Sequence, residues 1–510
     1  MAANGKQERL AVDTGVGARR EGDLEDKVET GYDGELGSLP VLPEVEKPAE
    51  TKFGLHRAVW TLAWPSVMTM LLQTLNSFMD RGFVGRLGSD ALAAVGVGGM
   101  FMFLLMSVGM SISTGTSALV SRFTGAEEPD QAKLAANQSL WVGIIAAVLC
   151  AALVWPLRHL VVGWMGVDSH AAALCVRYLS LTLVGIPALF VMLILSSVFR
   201  GLGDTVTPLR VMIGVNIIHL GGDYLLIFGQ SVGVHFVIFG HLIATHFFTF
   251  PRMGLMGGAT ALISSQLVGA LLYFWFLQRS SLRGFGSRLK HLDFDWAKRI
   301  LNIGLPAAGQ NVSRVLSMMV FTGVLARSPQ ATAAVAALTI GLTSESIAFM
   351  PGFAFSMAAG TLTGQNLGAG KPERAERAAW VSLQQGLVIM IVMGGVFFAL
   401  ARPFAHIFTH DPHVVPLTVA YLRIAALSEP FLALGMILTG ALNGAGDTKA
   451  PALAGIVTMW GVRLPLAWLL IYGLHFGATG AWWAMTVSTA LNGIVALFLF
   501  KGGRWKQAEV

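Results

Sequence analysis

Five ionisable residues, Asp80, Asp223, Arg314, Glu345 and Glu429, fall inside long apolar stretches of the 510-residue chain. A charged group is costly at membrane depth and is kept there mainly where it faces a cavity, a partner or an ion path. A carboxylate held there without a permanent counter-ion can exchange a proton as its access to water changes, which is the chemistry of ion coupling. Asp80 and Asp223 have no evident cation, because Arg81 and Arg210 lie nearer helix ends, so they are the candidates for cation coupling. Arg314 cannot shed its proton to escape burial, and the expectation is a charge network in which Glu345 or Glu429 is its partner. Polar neighbours extend the first site: Asn76 and Gln73 precede Asp80 by about one and two helical turns, while Asn216 and His219 precede Asp223 on a shared helix face. His219 is a candidate titrating group in the cation site, although a buried histidine also serves as a hydrogen-bonded structural residue.

These residues need a membrane to position them. The chain is 54% hydrophobic and only 13% charged, with a mean hydropathy of +0.64, which is not the composition of a soluble protein. Apolar runs near or above the roughly 18 to 20 residues that cross a bilayer recur between short charged loops. They predict an all-α membrane protein of twelve spans, six between 57 and 278 and six between 300 and 500, the tenth over 413–442 and the eleventh over 451–473. The 59 glycines suit closely packed transmembrane helices. Two cysteines, Cys150 and Cys175, support neither a disulfide framework nor a metal cluster. The net charge of +6 reflects basic loops and gives no reason to expect nucleic-acid binding.

The domain organisation follows from composition. Residues 1–52 are polar and acidic and read as a disordered cytoplasmic tail, without the apolar core of a signal peptide. Residues 53–279 form an N-lobe, 280–299 a basic cytoplasmic linker, 300–500 a C-lobe and 501–510 a second cytoplasmic tail. Lys and Arg concentrate in alternate loops, including Arg122, Lys133, Arg200, Lys371 and Lys449, which places both termini on the cytoplasmic side of the cell membrane. Two loop motifs recur at one offset of about 243 residues: Gly125-Ala-Glu-Glu-Pro129 answers Gly368-Ala-Gly-Lys-Pro372, and Gly203-Asp-Thr205 answers Gly446-Asp-Thr448. Six spans per repeat give the halves the same orientation, with a cavity between them as the natural substrate site.

Other motifs have structural explanations. In the Gly-Asp-Thr loops the glycine permits a tight turn, Asp or Thr caps the next helix, and Pro208 and Pro451 suit its first turn. An intramembrane aspartyl protease does not explain a duplicated motif. Gly368-Ala-Gly-Lys371 lacks the spacing and the Ser or Thr of a nucleotide-binding loop, so no ATPase machinery is found and energy is expected from an ion gradient unless transport is passive. His235, His241 and His246 match no standard metal-ligand spacing, and the segment 230–254 reads instead as a membrane-surface or re-entrant piece. No metal site, cofactor or catalytic residue is expected.

Trp64-Pro65, the run Asp80-Arg-Gly-Phe-Val-Gly-Arg-Leu-Gly88, Ala91-Leu-Ala-Ala-Val95, Arg200-Gly-Leu-Gly-Asp-Thr205, Gly364-Gln-Asn-Leu-Gly-Ala-Gly370 and Gly444-Ala-Gly-Asp-Thr448 together resemble the multidrug and toxic compound extrusion family, over residues 55–500. The resemblance implies a V-shaped, two-lobed transporter, working as a monomer among membrane lipids, that exports organic cations or other amphipathic small molecules in exchange for protons or sodium. It also implies that Asp80 and Asp223 are the N-lobe coupling acids. A lipid-linked-precursor flippase of the same superfamily is the alternative. Three departures matter. His219 stands where many members have asparagine, Arg314 stands where a sodium-coupled branch places a glutamate, and Leu432 replaces that branch's aspartate. Protons are therefore expected in preference to C-lobe sodium.

Overall fold

A computed structural model of the chain describes residues 52–164, 168–229, 231–238, 241–280, 282 and 292–508. The expected N-terminal tail, through residue 51, and most of the linker lie outside the described residues. The first half consists of α1 (Lys52–Gly85), α2 (Ser89–Gly125), α3 (Pro129–Trp164), α4 (Ser169–Gly201), α5 (Val206–Phe228) and α6 (Leu255–Leu277). A two-stranded antiparallel hairpin, β1 (Ser231–Ile238) and β2 (His241–Thr249), joins α5 to α6. It is the one addition to the all-α expectation among the described residues. His235 pairs with Thr245 and His246 with Val234 in its backbone ladder, and the side chains of 231–248 lie outside the described residues.

The second half consists of α7 (Phe294–Leu325), α8 (Ala331–Gly368), α9 (Pro372–Ala399), a short α10 (Ala401–Phe408), α11 (Val414–Ala426), α12 (Glu429–Ala445), α13 (Lys449–Val457), α14 (Leu464–Trp468) and α15 (Gly477–Lys501). α11 and α12 form one span bent by 54°. The bend falls just before Pro430, in the first turn of α12, where proline cannot continue the hydrogen bonding of the preceding helix. The eleventh span runs α13, a π-helical turn (Thr458–Arg463), α14 and a second π-helical turn (Leu469–Gly473). Each π turn widens the helix locally, a distortion that often accompanies functional sites.

Among the described residues, nine helices are long and apolar enough to cross a membrane, ten with the bent pair. The two remaining long helices are α1 and α7, at 34 and 32 residues. They open the two halves and hold Gln73, Asn76 and Asp80 in one case, Gln310, Asn311 and Arg314 in the other. Their lower hydropathy is the mark of helices that carry polar site residues through the membrane.

Packing repeats residue by residue at the loop-motif offset. Tyr178 lies against Gly98 in the first half and Tyr421 against Gly341 in the second. Ile194 fills the space beside Gly143, as Ile437 does beside Gly386. Gly203 and Gly446 adopt positive φ angles of 89° and 93°, which glycine tolerates without the steric cost of a side chain. Asp204 accepts hydrogen bonds from the backbone N–H groups of Val206 (3.0 Å) and Thr207 (2.9 Å), the helix-capping role expected of that loop.

The halves also interlock. Leu55, Val59, Leu62 and Ala63 at the start of α1 join a core otherwise built from the second half, including Phe355 and Leu438. Trp296, Ile300 and Ile303 of α7 join the first half's core with Leu119 and Val198. Cross-half hydrogen bonds cluster at the end holding Arg122, Arg200 and Lys371, as between the Gln365 amide and the Gly201 carbonyl (3.0 Å).

Candidate functional site

The N-lobe aspartates converge. α5 sets Asn216, His219 and Asp223 on one face at helical spacing, and α1 brings Asn76 and Asp80 to the same place. The Asn76 amide lies 2.8 Å from His219 Nδ1. With Nδ1 accepting, the imidazole proton sits on Nε2, which faces Asp223 Oδ2 at 3.6 Å. One ligand atom each from Asp80, His219 and Asp223 lies within 4.8 Å of the others, close enough for the three to share a cation.

Asp223 is fully buried, and neither of its carboxylate oxygens has a hydrogen-bond partner; the nearby Asn216 Nδ2 is also without one. Buried polar atoms are ordinarily satisfied, so these orphaned atoms point to something that comes and goes: a proton, an ion or water. Gly258 of α6 makes room, since a methyl placed on it would sit 3.6 Å from Asp223 Oδ1. A cavity of about 150 Å³ opens beside the cluster, lined by Asn76, Ser77, Asp80, Tyr178 and His219 together with apolar side chains. A water occupies roughly 30 Å³ in the liquid, so the cavity has room for several. Gln73 does not join: it is exposed, and its carbonyl accepts from the Ser77 hydroxyl (3.0 Å).

The C-lobe acids are arranged differently, and the expected pairing of Arg314 is not found. Its guanidinium donates to Asn311 Oδ1 (3.1 Å) and lies 6.0 Å from the Phe349 ring, with no carboxylate among the described residues at ion-pair distance. An exposed side chain needs no acid to neutralise it, and hydrogen bonding plus an aromatic face suffices. Glu345 instead accepts a 2.5 Å hydrogen bond from the Tyr421 hydroxyl. Glu429 is 1% exposed and stands in the first turn of α12, where the helix dipole favours a negative charge, yet its Oε2 has no partner. A space of about 10 Å³, enough for one water at most, is lined by Glu345, Tyr421, Ser428, Thr486 and Thr489.

Arg463 is the residue that sequence reasoning missed. It ends the first π-helical turn and donates to Ser488 Oγ (2.8 Å) and Thr489 Oγ1 (3.3 Å). It is the cation within electrostatic reach of Glu345 and Tyr421. The criterion that selected Arg314, a charge inside a predicted span, applied equally to Arg463 in 451–473. Tyr178 and Tyr421 were legible too, because they occupy one position of the repeat.

The family model for MatE matches residues 65–225 and 306–469, one stretch in each half. A probable multidrug resistance protein NorM of Thermotoga maritima is 28% identical over 476 residues, covering 92% of this chain and 96% of that protein. An FAD transporter of Shewanella oneidensis is 27% identical, covering 87% of this chain and 94% of its own length. The structure resembles that of the Vibrio cholerae MATE transporter VcmN in the bent form, with a TM-score of 0.79 at 22% identity, covering 89% of this chain and 98% of that one.

Proposed function

The chain belongs to the MatE family, a family of transporters with twelve membrane-spanning helices in two lobes, and from that premise we propose that it is a secondary active exporter of small amphipathic or cationic molecules, driven by protons or sodium. The observation that carries the reading is the buried, unpartnered Asp223 beside Asp80 and His219, with a cavity next to them. Alternating access supplies the cycle. With the N-lobe open to the outside, protonation or cation binding at Asp80 and Asp223 neutralises the cluster and releases a positively charged substrate. With the site facing the cytoplasm, the coupling ion leaves and the restored carboxylates attract the next substrate. Asn76 holds the His219 ring so that one nitrogen faces Asp223 throughout.

Substrate class follows from the lining. The cavity beside Asp80 is walled by acid, amide, hydroxyl and aliphatic groups, with no Lys or Arg among its lining residues. That supports cationic amphiphiles over lipid-linked anionic precursors, whose carriers need several cations. The protein is read as a monomer in the cell membrane, with both termini cytoplasmic and no nucleic-acid partner.

The test is uphill efflux of a fluorescent organic cation from vesicles under an imposed pH gradient, repeated with a sodium gradient. Asp80→Asn and Asp223→Asn are each expected to abolish efflux under whichever gradient drives the parent. Full efflux in both variants removes the N-lobe mechanism.

A further inference from the structure

Gln73 and Arg314 belong to neither acidic cluster, yet they hold one position of the repeat. α1 and α7 each carry an internal proline, Pro65 and Pro306, and Gln73 and Arg314 each follow it by eight residues. Reciprocal packing supports this alignment. Val59 and Leu62 are buried in the second half's core, and their equivalents Ile300 and Ile303 are buried in the first half's. At the equivalent places further along the two helices, both polar side chains are exposed.

The two residues border one stretch of α8. The hydroxyl of Thr74, next to Gln73, donates to Met350 Sδ (3.5 Å), and the Arg314 guanidinium lies over the ring of the adjacent Phe349. α1 and α7 thus approach α8 at one level, and Gln73 and Arg314 open onto the space between the halves. Lipid is a poor surrounding for Arg314, because a permanent cation well inside a membrane-spanning helix is kept where it faces a cavity or a partner. Neighbouring polar groups of α7 are already committed to the eleventh span: the Gln310 amide donates to the Pro451 carbonyl (3.4 Å), and Ser313 Oγ accepts from the Trp460 indole (2.7 Å). Arg314 is not. Its Nη2 donates to Asn311 Oδ1, which orients the guanidinium, and the rest of the fork has no partner among the described residues. Phe349 stacks with Phe353 (centroids 5.9 Å apart, planes at 20°), giving the charge a flat apolar wall.

From this geometry we infer that Arg314 is a specificity residue that binds a carboxylate on the exported molecule, with the Gln73 amide as the polar group on the α1 side and the Phe349–Phe353 stack against the molecule's apolar body. The inference rests on the exporter reading and narrows its substrate to amphiphiles that carry a carboxylate besides a cationic group. One N–H of the guanidinium goes to Asn311, and the remaining donors can hold a carboxylate through two parallel bonds. The charge cannot be shed, so the preference is independent of pH wherever the carboxylate is ionised. A single guanidinium matches a single anionic group, while the cationic end of the same molecule is left to the acids of the first half.

The experiment is equilibrium binding to full-length protein in lipid nanodiscs, read by fluorescence anisotropy with empty nanodiscs as the blank. It compares a rhodamine bearing a free carboxylate with the methyl ester of the same dye. The parent is expected to bind the acid about tenfold more tightly than the ester. Arg314→Gln should erase that difference by weakening the acid and leaving the ester within about twofold. Arg314→Lys should keep part of it, because the charge remains and the planar fork is lost. Gln73→Leu should weaken the acid by a smaller factor than Arg314→Gln. An ester bound as tightly as the acid by the parent overturns the assignment, and so does an acid preference that survives in Arg314→Gln. Arg314→Met, equally neutral, takes the place of Arg314→Gln should the latter fail to insert, with the same two outcomes. No gradient enters the measurement, so the carboxylate preference can fail while uphill efflux and its dependence on Asp80 and Asp223 stand, and the reverse.

Discussion

Each lobe packs a tyrosine against a glycine of its second helix at the same place in the repeat, yet the acids around the two rings live in different surroundings. Beside Tyr178, Asp223 is buried with no hydrogen bond to either oxygen, and the basic side chain facing it is a histidine, which can be neutral. Beside Tyr421, Glu345 holds a 2.5 Å bond from the phenol and has Arg463 within electrostatic reach. Beyond the first π-helical turn the correspondence between halves runs one residue later, as the matching approaches of Leu226 to Gly257 and Leu470 to Gly480 show. At that offset Arg463 answers His219. One fold therefore supports two electrostatic designs, one whose counter-charge can leave and one whose counter-charge is permanent.

The hardest blow to this contrast is to exchange the two residues. His219→Arg puts a permanent cation within reach of Asp80 and Asp223, where it competes with the coupling ion, and ion-driven efflux is expected to fall to the level of vesicles without protein. Arg463→His should cause only a partial loss. Efflux in vesicles, with thermal melting to confirm folding, reads both. If Arg463→His abolishes transport and His219→Arg is tolerated, the assignment of coupling to the N-lobe is reversed.

A second comparison concerns packing. A methyl on Gly98 would meet Tyr178 Cδ1 at 2.9 Å and touch the ring at its edge. On Gly341 it would press on three ring atoms of Tyr421, including Cγ at 2.7 Å. The ring edge can tilt away in the first case, towards the cavity of about 150 Å³, whereas Tyr421 is 1% exposed and wedged at 5.0 Å from Trp482. Overpacking of this kind costs about 1–3 kcal/mol. Gly341→Ala is expected near the top of that range and Gly98→Ala near the bottom, measured as loss of thermal stability in detergent. Equal losses would mean that the N-lobe ring is held as rigidly as its mate.

Much of this was legible in the residues. Membrane class and the halves follow from apolar run lengths and from one repeated offset, and helical spacing groups Asn76 with Asp80 and Asn216 and His219 with Asp223; a shared role for the two aspartates was implied by the family resemblance alone. What failed was the partner of Arg314. Which charge meets which depends on helix rotation and on irregular turns, and neither has a local signature. The first π-helical turn ends at Arg463, which donates to Ser488 and Thr489, and the bend before Pro430 places Glu429 at a helix start. The hairpin over 231–249 was obscured for the opposite reason, because a run of Phe, Val, Ile and His between two spans reads equally well as a membrane-surface segment.

The finest test of the contrast is the hydroxyl itself. Tyr421→Phe removes the hydroxyl that donates to Glu345 and leaves a half-buried carboxylate to be served by whatever water fits a space of about 10 Å³. Losing a buried partner of a charged group costs about 1–3 kcal/mol. Tyr178→Phe removes a hydroxyl that makes no hydrogen bond among the described residues and borders the larger cavity. Its effect on stability should stay within about 0.5 kcal/mol. If the two variants melt alike, the Glu345 bond carries no net stability, and the permanent charge of Arg463 alone distinguishes the C-lobe site. If Tyr421→Phe is the less stable by the expected margin, the phenol is part of what holds Glu345 in place, and the C-lobe acid is a structural element as much as an electrostatic one.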